Sequence, residues 1–174
     1  MGATLDANNP DLRDASVANV GEMCDAGWDE IWIDNLGTIP DDFLTRLIDA
    51  AHAKGKRIGG NFVTLDSQSQ LELAKRLIDL GLDSTFDEFF LGGAWDDSQW
   101  SHPEDLAKQW IDYSHAHNRE WQVRCAAGTT RQDWLQHCWA KFAEWNTEGL
   151  GRFVAVTSNP ANDPRHIWPA SAYQ

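Results

Sequence analysis

Residues 83–90 read D-S-T-F-D-E-F-F. The stretch is apolar and aromatic enough for a buried strand, and it follows a helix-like segment that stops at Gly81. It also carries two carboxylates, Asp87 and Glu88, near its C-terminal end. A similar strand, E-I-W-I-D at 30–34, ends in Asp34, and R-I-G-G-N-F-V at 57–63 holds Asn61 near its end. Burying polar groups on strands is costly unless they are paired or used. Several of them at matching strand ends therefore mark a site.

Working outward, helix and strand signals alternate. Asn9-Pro10 reads as an N-cap and first-turn proline for a helix through Val17, Val20 and Met23. Thr38 reads as the cap of a second helix, whose apolar stripe is Phe43, Leu44, Leu47, Ile48 and Ala51. Ser67 with Gln70 fits a capping box for a third helix, with Leu71, Ala74, Leu77 and Ile78 on its buried side. A fourth helix starts at Ser101, Pro103 and Glu104. Strand 120–126, helix 132–146 and strand 152–157 complete the order, and residues 3–6 read as the end of one more short strand.

Asp34 to Asn61 and Asn61 to Glu88 are each 27 residues apart, about one βα unit. Such alternation builds a parallel sheet with right-handed crossovers. With no G-x-G-x-x-G and no P-loop, the even spacing favours barrel-type units over a nucleotide-binding sheet. A full (βα)8 barrel needs roughly 200 residues or more, and this chain has 174. The expectation is one α/β domain over residues 1–174, an incomplete TIM-barrel-like array of parallel (βα) repeats with five to six strands.

Ligands of parallel α/β folds bind at the C-terminal strand ends. Asp34, Asn61, Glu88, Arg124 and Thr157 all fall there. Side chains alternate across a strand, so Asp87 and Glu88 face opposite sides and only one enters a barrel interior. Gly59-Gly60 reads as a bulge or a close approach. Arg124, in W-Q-V-R-C, either pairs with one of the acids or anchors a ligand and lowers a carboxylate pKa. Ten tryptophans are too many for the core of a domain this size. Trp32, Trp95 and Trp100 are the ones expected to line a groove.

Net charge is −13, from 14 basic and 27 acidic residues. That argues against nucleic acid or an anionic membrane as partner and suits a neutral or cationic ligand; a carbohydrate or other small neutral ligand is the partner expected. No 18-residue apolar run and no basic-then-apolar leader are read, so as written the chain is expected to be cytoplasmic. Three cysteines without C-x-x-C point to reduced buried thiols. The histidines form no metal motif, with only His102 placed near the groove. No metal and no cofactor are expected, and serine or cysteine nucleophile motifs are missing.

The ordered segments N-P-D-L-R (9–13), A-G-W-D-E-I-W-I-D-N (26–35), G-K-R-I-G-G-N (55–61) and D-S-T-F-D-E-F-F (83–90) resemble TIM-barrel glycoside hydrolases of the endo-α-1,4-polygalactosaminidase-like family. The resemblance covers about residues 5 to 95 and departs from the family pattern at Glu30, where the family carries glycine. It implies that Asp34 closes the fourth barrel strand and Glu88 the sixth, as the acid pair, with Asn61 positioning substrate. For glycoside hydrolysis by such a pair, Glu88 is the candidate general acid and Asp34 the nucleophile or base. Arg124 and Asp87 join the ligand contacts, and Trp32, Trp95 and Trp100 stack on sugar faces. Two other functions fit the same residues. One is a non-catalytic carbohydrate-binding or assembly module; the other is a lyase or aldolase in which Asp34, Glu88 and Asp87 hold Mg²⁺. Open barrel edges are a liability, so a homodimer covering them is expected.

Overall fold

The computed structural model of the protein describes residues 7–62, 65–88, 90, 104–126 and 132–156. Five helices alternate with five strands: α1 (Pro10–Asp25), β1 (Glu30–Ile33), α2 (Asp41–His52), β2 (Arg57–Asn61), α3 (Gln68–Asp79), β3 (Ser84–Asp87), α4 (Glu104–Ala116), β4 (Glu120–Ala126), α5 (Gln132–Trp145) and β5 (Gly151–Val156). All neighbouring strands are parallel and stand in chain order, β1-β2-β3-β4-β5, in an open sheet. The expected alternation and the incomplete α/β barrel are what the chain forms. Residues 3–6 lie outside the described residues.

Local signals set the helix ends with two exceptions. The Asn9 side chain accepts from the backbone N–H of Asp11 at 3.0 Å, which caps α1 as expected. Thr38, however, does not cap α2. It ends a 3-10 turn (Leu36–Thr38), its hydroxyl donates to the Asn35 carbonyl, and Pro40 is the N-cap residue. Burial decides this: Leu36 is wholly covered, and sinking it into the core coils the segment before α2 can begin. The capping box of α3 does not form either. The Ser67 hydroxyl pairs with that of Ser69, and the Ser67 side chain makes no capping bond to the helix.

The expected stripes are the buried ones: Phe43, Leu44, Leu47, Ile48 and Ala51 on α2, and Leu71, Ala74, Leu77 and Ile78 on α3. They meet one face of the sheet, where Ile31, Ile58, Thr85, Trp121, Val123 and Cys125 are buried. Trp110 of α4 fills the centre, donating to the Thr85 hydroxyl at 3.0 Å and meeting Trp121 edge-on. The long aromatic side chains there bury large apolar areas, each with a partner for its polar N–H.

The opposite face of the sheet has no helix layer among the described residues. Its first residue on each strand is, in order, Glu30, Arg57, Ser84, Glu120 and Arg152. Glu30 pairs directly with Arg57, and Ser84 with Glu120. Ser84 also pairs with Gly59, two residues beyond Arg57, and Arg152 pairs with Gln122, two beyond Glu120. Two of the four steps are thus level and two shift by two residues, a stagger of four residues over four steps. Continued at that rate, eight steps give eight residues, which is the shear of a TIM barrel.

Candidate functional site

The inner, uncovered face organises into three tilted rows. The row nearest the strand N-termini is Glu30, Arg57, Ser84, Glu120 and Arg152, and it is knitted together. The Ser84 hydroxyl donates to Glu30 Oε1 at 2.7 Å, across β2. Arg57 Nη2 donates to Glu120 Oε2 at 3.0 Å, across β3, and Arg152 Nη2 donates to the same oxygen at 3.0 Å. Gly59 makes the first of these bonds feasible, because a Cβ there would stand 1.9 Å from the Ser84 oxygen. The middle row is Trp32, Gly59, Phe86, Gln122 and Val154. Trp32 reaches over Gly59 to meet Phe86 edge-on, with ring centroids 5.9 Å apart.

The third row, at the C-terminal ends, is Asp34, Asn61 and Arg124, with Glu88 in the turn that follows β3. Asp34 follows the last residue of β1 and Glu88 the last of β3. Asn61 is buried, and its amide bridges two groups. Its Oδ1 accepts from the backbone N–H of Asn35 at 3.0 Å, and its Nδ2 donates to Asp34 Oδ1 at 2.5 Å. The Asn35 N–H fixes which end of that amide is the acceptor. Asn35 Nδ2 donates to the other carboxylate oxygen, Asp34 Oδ2, at 3.1 Å. Asn35 sits at φ 55°, in the left-handed region that asparagine tolerates better than most residues. That turn brings both its backbone and side-chain N–H groups to the site. Arg124 Nε donates to the backbone carbonyl of Glu88 at 3.1 Å, tying the end of β3 to β4.

Asp34, Asn61 and Arg124 therefore share one row, Glu88 stands at the same end of the sheet, and Trp32 lies in the row beneath. Asp87 does not join them. It pairs with Val123 on the helix-facing side and is 1% exposed. There its charge helps to push up the pKa of the Cys138 thiol, behind the larger effects of the Cys125 hydrogen bond and of burial. The magnesium set of Asp34, Glu88 and Asp87 is accordingly split between two faces. Among the described residues, no three His, Cys, Asp or Glu gather in a group able to hold a metal ion. Trp95, Trp100, His102 and Thr157 lie outside the described residues.

All three cysteines are buried with free thiols, and Cys138 donates to the Phe90 carbonyl. The elevated Cys138 pKa keeps the unreactive thiol form. Native protein at mildly alkaline pH should leave Cys125 and Cys138 unmodified by iodoacetamide, whereas urea-unfolded protein should take label at both. Peptide mapping of the labelled chain reads the difference.

Sequence reasoning misses two contributors. Asn35 reads only as a loop residue, although an Asn directly after a strand-end Asp is a fair signal for a left-handed turn. Asp83 reads as the start of a strand. It is a junction at the opposite end of the sheet, accepting from Ile58 N–H at 2.9 Å and Arg119 Nη1 at 2.9 Å, and sharing a hydrogen bond with His52 Nε2 at 2.8 Å. Arg13 likewise works away from the rim. It bonds Asp42 on α2, and that hydrogen bond holds the Asp42 carboxyl below its usual range.

No family model matches this chain, and no curated protein matches it. Solved structures do. A sialic acid aldolase from Ruminococcus gnavus, a catalytic lysine mutant, superposes with a TM-score of 0.52 at 12% identity, over 83% of this chain and 48% of that one. A mutant O-GlcNAc hydrolase from Thermobaculum terrenum gives a TM-score of 0.52 at 10% identity, over 80% and 37%. The chain thus spans less than half the length of either structure. No helix among the described residues is long and apolar enough to cross a membrane. At these identities the likeness concerns the fold alone, an incomplete TIM-barrel-like α/β array.

Proposed function

We propose that the C-terminal rim is a carbohydrate-processing site of the glycoside-hydrolase kind, with Glu88 as general acid and Asp34 as nucleophile or base. The observation that carries this is the Asn61–Asp34–Asn35 clamp at the same end of the sheet as Glu88. Both Asp34 oxygens accept from N–H donors. A carboxylate held in that way is oriented as an electron-pair donor, which suits attack on carbon or the activation of water. Glu88, half-buried at the end of β3, is left the complementary task of protonating the leaving oxygen. One strand lies between β1 and β3, so the two chain ends stand about 10 Å apart, two strand spacings. That span is of the order of the 5–10 Å or so at which paired carboxyls flank a glycosidic bond.

Asn61 and Arg124 then serve as polar contacts at the rim, and Trp32 with Phe86 forms an apolar floor beneath them. Two structures with this fold are enzymes named for sialic acid and O-GlcNAc, which supports a sugar ligand. The acidic chain suits a neutral one.

A reducing-sugar screen over oligosaccharides, run on the wild type beside Glu88→Gln and Asp34→Asn, tests the assignment. Release of reducing ends should fall at least about 100-fold in each variant, the low end of what a positioned acid or base contributes. Activity that survives both substitutions removes the pair from the chemistry. Oligosaccharide binding without any cleavage would favour the binding-module function instead.

A further inference from the structure

The inner face ends differently at its two sides, and the two ends match each other. In the first row the outer residues are Glu30 on β1 and Arg152 on β5, an acid and a base. In the middle row they are Trp32 and Val154, both apolar, 42% and 43% exposed. Among the described residues β1 and β5 each have one strand neighbour. A two-fold axis perpendicular to the rows carries β1 of one copy to β5 of another. It sets Glu30 against the partner's Arg152 and Trp32 against the partner's Val154, and each contact occurs twice. Placing β1 against its own copy would oppose Glu30 with Glu30 instead.

Charge across the first row points the same way. Two acids (Glu30, Glu120) and two arginines (Arg57, Arg152) sum to zero, whereas the chain carries −13. General repulsion between copies is weakest where a surface is locally balanced. Arg152 is the more solvent-open member of its pair with Glu120, at 59% against 12% side-chain exposure, so its guanidinium has donors to spare for a second acid.

We propose that a second copy of this chain docks against the inner face, β1 to β5, through Glu30–Arg152 and Trp32–Val154 contacts. The arrangement covers both outer strands and continues the Trp32–Phe86 floor. It brings the C-terminal ends of the two copies to the same side, and it stands or falls independently of the chemistry proposed there.

Sedimentation equilibrium on the whole chain should show a concentration-dependent dimer. Trp32→Asp and Val154→Asp should each weaken it at least about tenfold, as expected for apolar contacts central to an interface. Far-UV circular dichroism should stay unchanged, because both side chains are exposed in the monomer. Trp28→Ser, which removes an exposed tryptophan outside the rows, should leave the dimer as it is. Glu30→Arg and Arg152→Glu should each weaken association, and the double variant should recover it. A wild-type chain that sediments as a monomer overturns the proposal. So does a dimer indifferent to both aspartates, or a double charge swap that associates no better than its parents.

Discussion

Gly60→Ala should lower stability by about 3 kcal/mol, the upper part of the usual range for overpacking a core, and should abolish whatever the rim does. Gly60 lies on β2 opposite Ile33 and faces the helix layer. A Cβ added there would stand 2.2 Å from the Ile33 carbonyl oxygen and 2.8 Å from Leu36 Cδ1. The leucine methyl can move, but the carbonyl is backbone, held in the ladder between β1 and β2. Relief requires the chain from Ile33 to Leu36 to lift. That chain carries Asp34 and Asn35, and lifting it pulls both from Asn61. Urea denaturation read by tryptophan fluorescence gives the first effect, and ligand binding or activity gives the second. An alanine variant with an unchanged midpoint would show that the 3-10 turn is not packed as described.

Asp83→Ala should cost a comparable amount, also about 3 kcal/mol, since it strips charge-assisted bonds from a partly buried junction. The carboxylate accepts from the Ile58 backbone, from Arg119 before β4, and lies against His52 at the end of α2. Its own backbone joins the ladder on both sides, through Ile58 O and Glu120 N. Removing it leaves an Ile58 N–H and an Arg119 guanidinium short of an acceptor. Asp83→Asn retains one carbonyl acceptor, so it should recover part of the loss. Because the junction lies at the N-terminal end, ligand affinity of the folded fraction should be nearly unchanged. That separates Asp83, a framework residue, from Gly60, whose loss damages both. Equal denaturation midpoints for Asp83→Ala and wild type would remove the junction from the stability account.

The order of elements was readable because apolar spacing on α2 and α3 is regular, and because Gly81 and the Lys54-Gly55-Lys56 segment punctuate it. Gly81 takes a positive φ of 107°, where a glycine stop was expected, and Gly55 does the same at 67° after α2. Strand β4 runs over the expected span, 120–126. Strand ends were less visible. The stretch 83–90 supplies only Ser84–Asp87 to the sheet, and Glu88 already sits in a turn. Caps misled where burial overrode local chemistry, as at Thr38, whose place was taken by the sinking of Leu36. For the rim, alternation was enough to place Asp87 on the helix-facing side. What alternation cannot supply is reach across strands. The clamp on Asp34 and the Ser84–Glu30 bond depend on which strand neighbours which, and on a missing side chain at Gly59.

The charged row at the strand N-termini also determines direction. Glu30, Arg57, Ser84, Glu120 and Arg152 occupy one another's hydrogen-bonding groups across all five strands. A molecule approaching from that side would have to break ion pairs before meeting Trp32, while one approaching from the other side meets Asp34 and Glu88 first. The row therefore closes the N-terminal end of the inner face, while the front of that face, where Trp32 is exposed, and its C-terminal end stay open among the described residues.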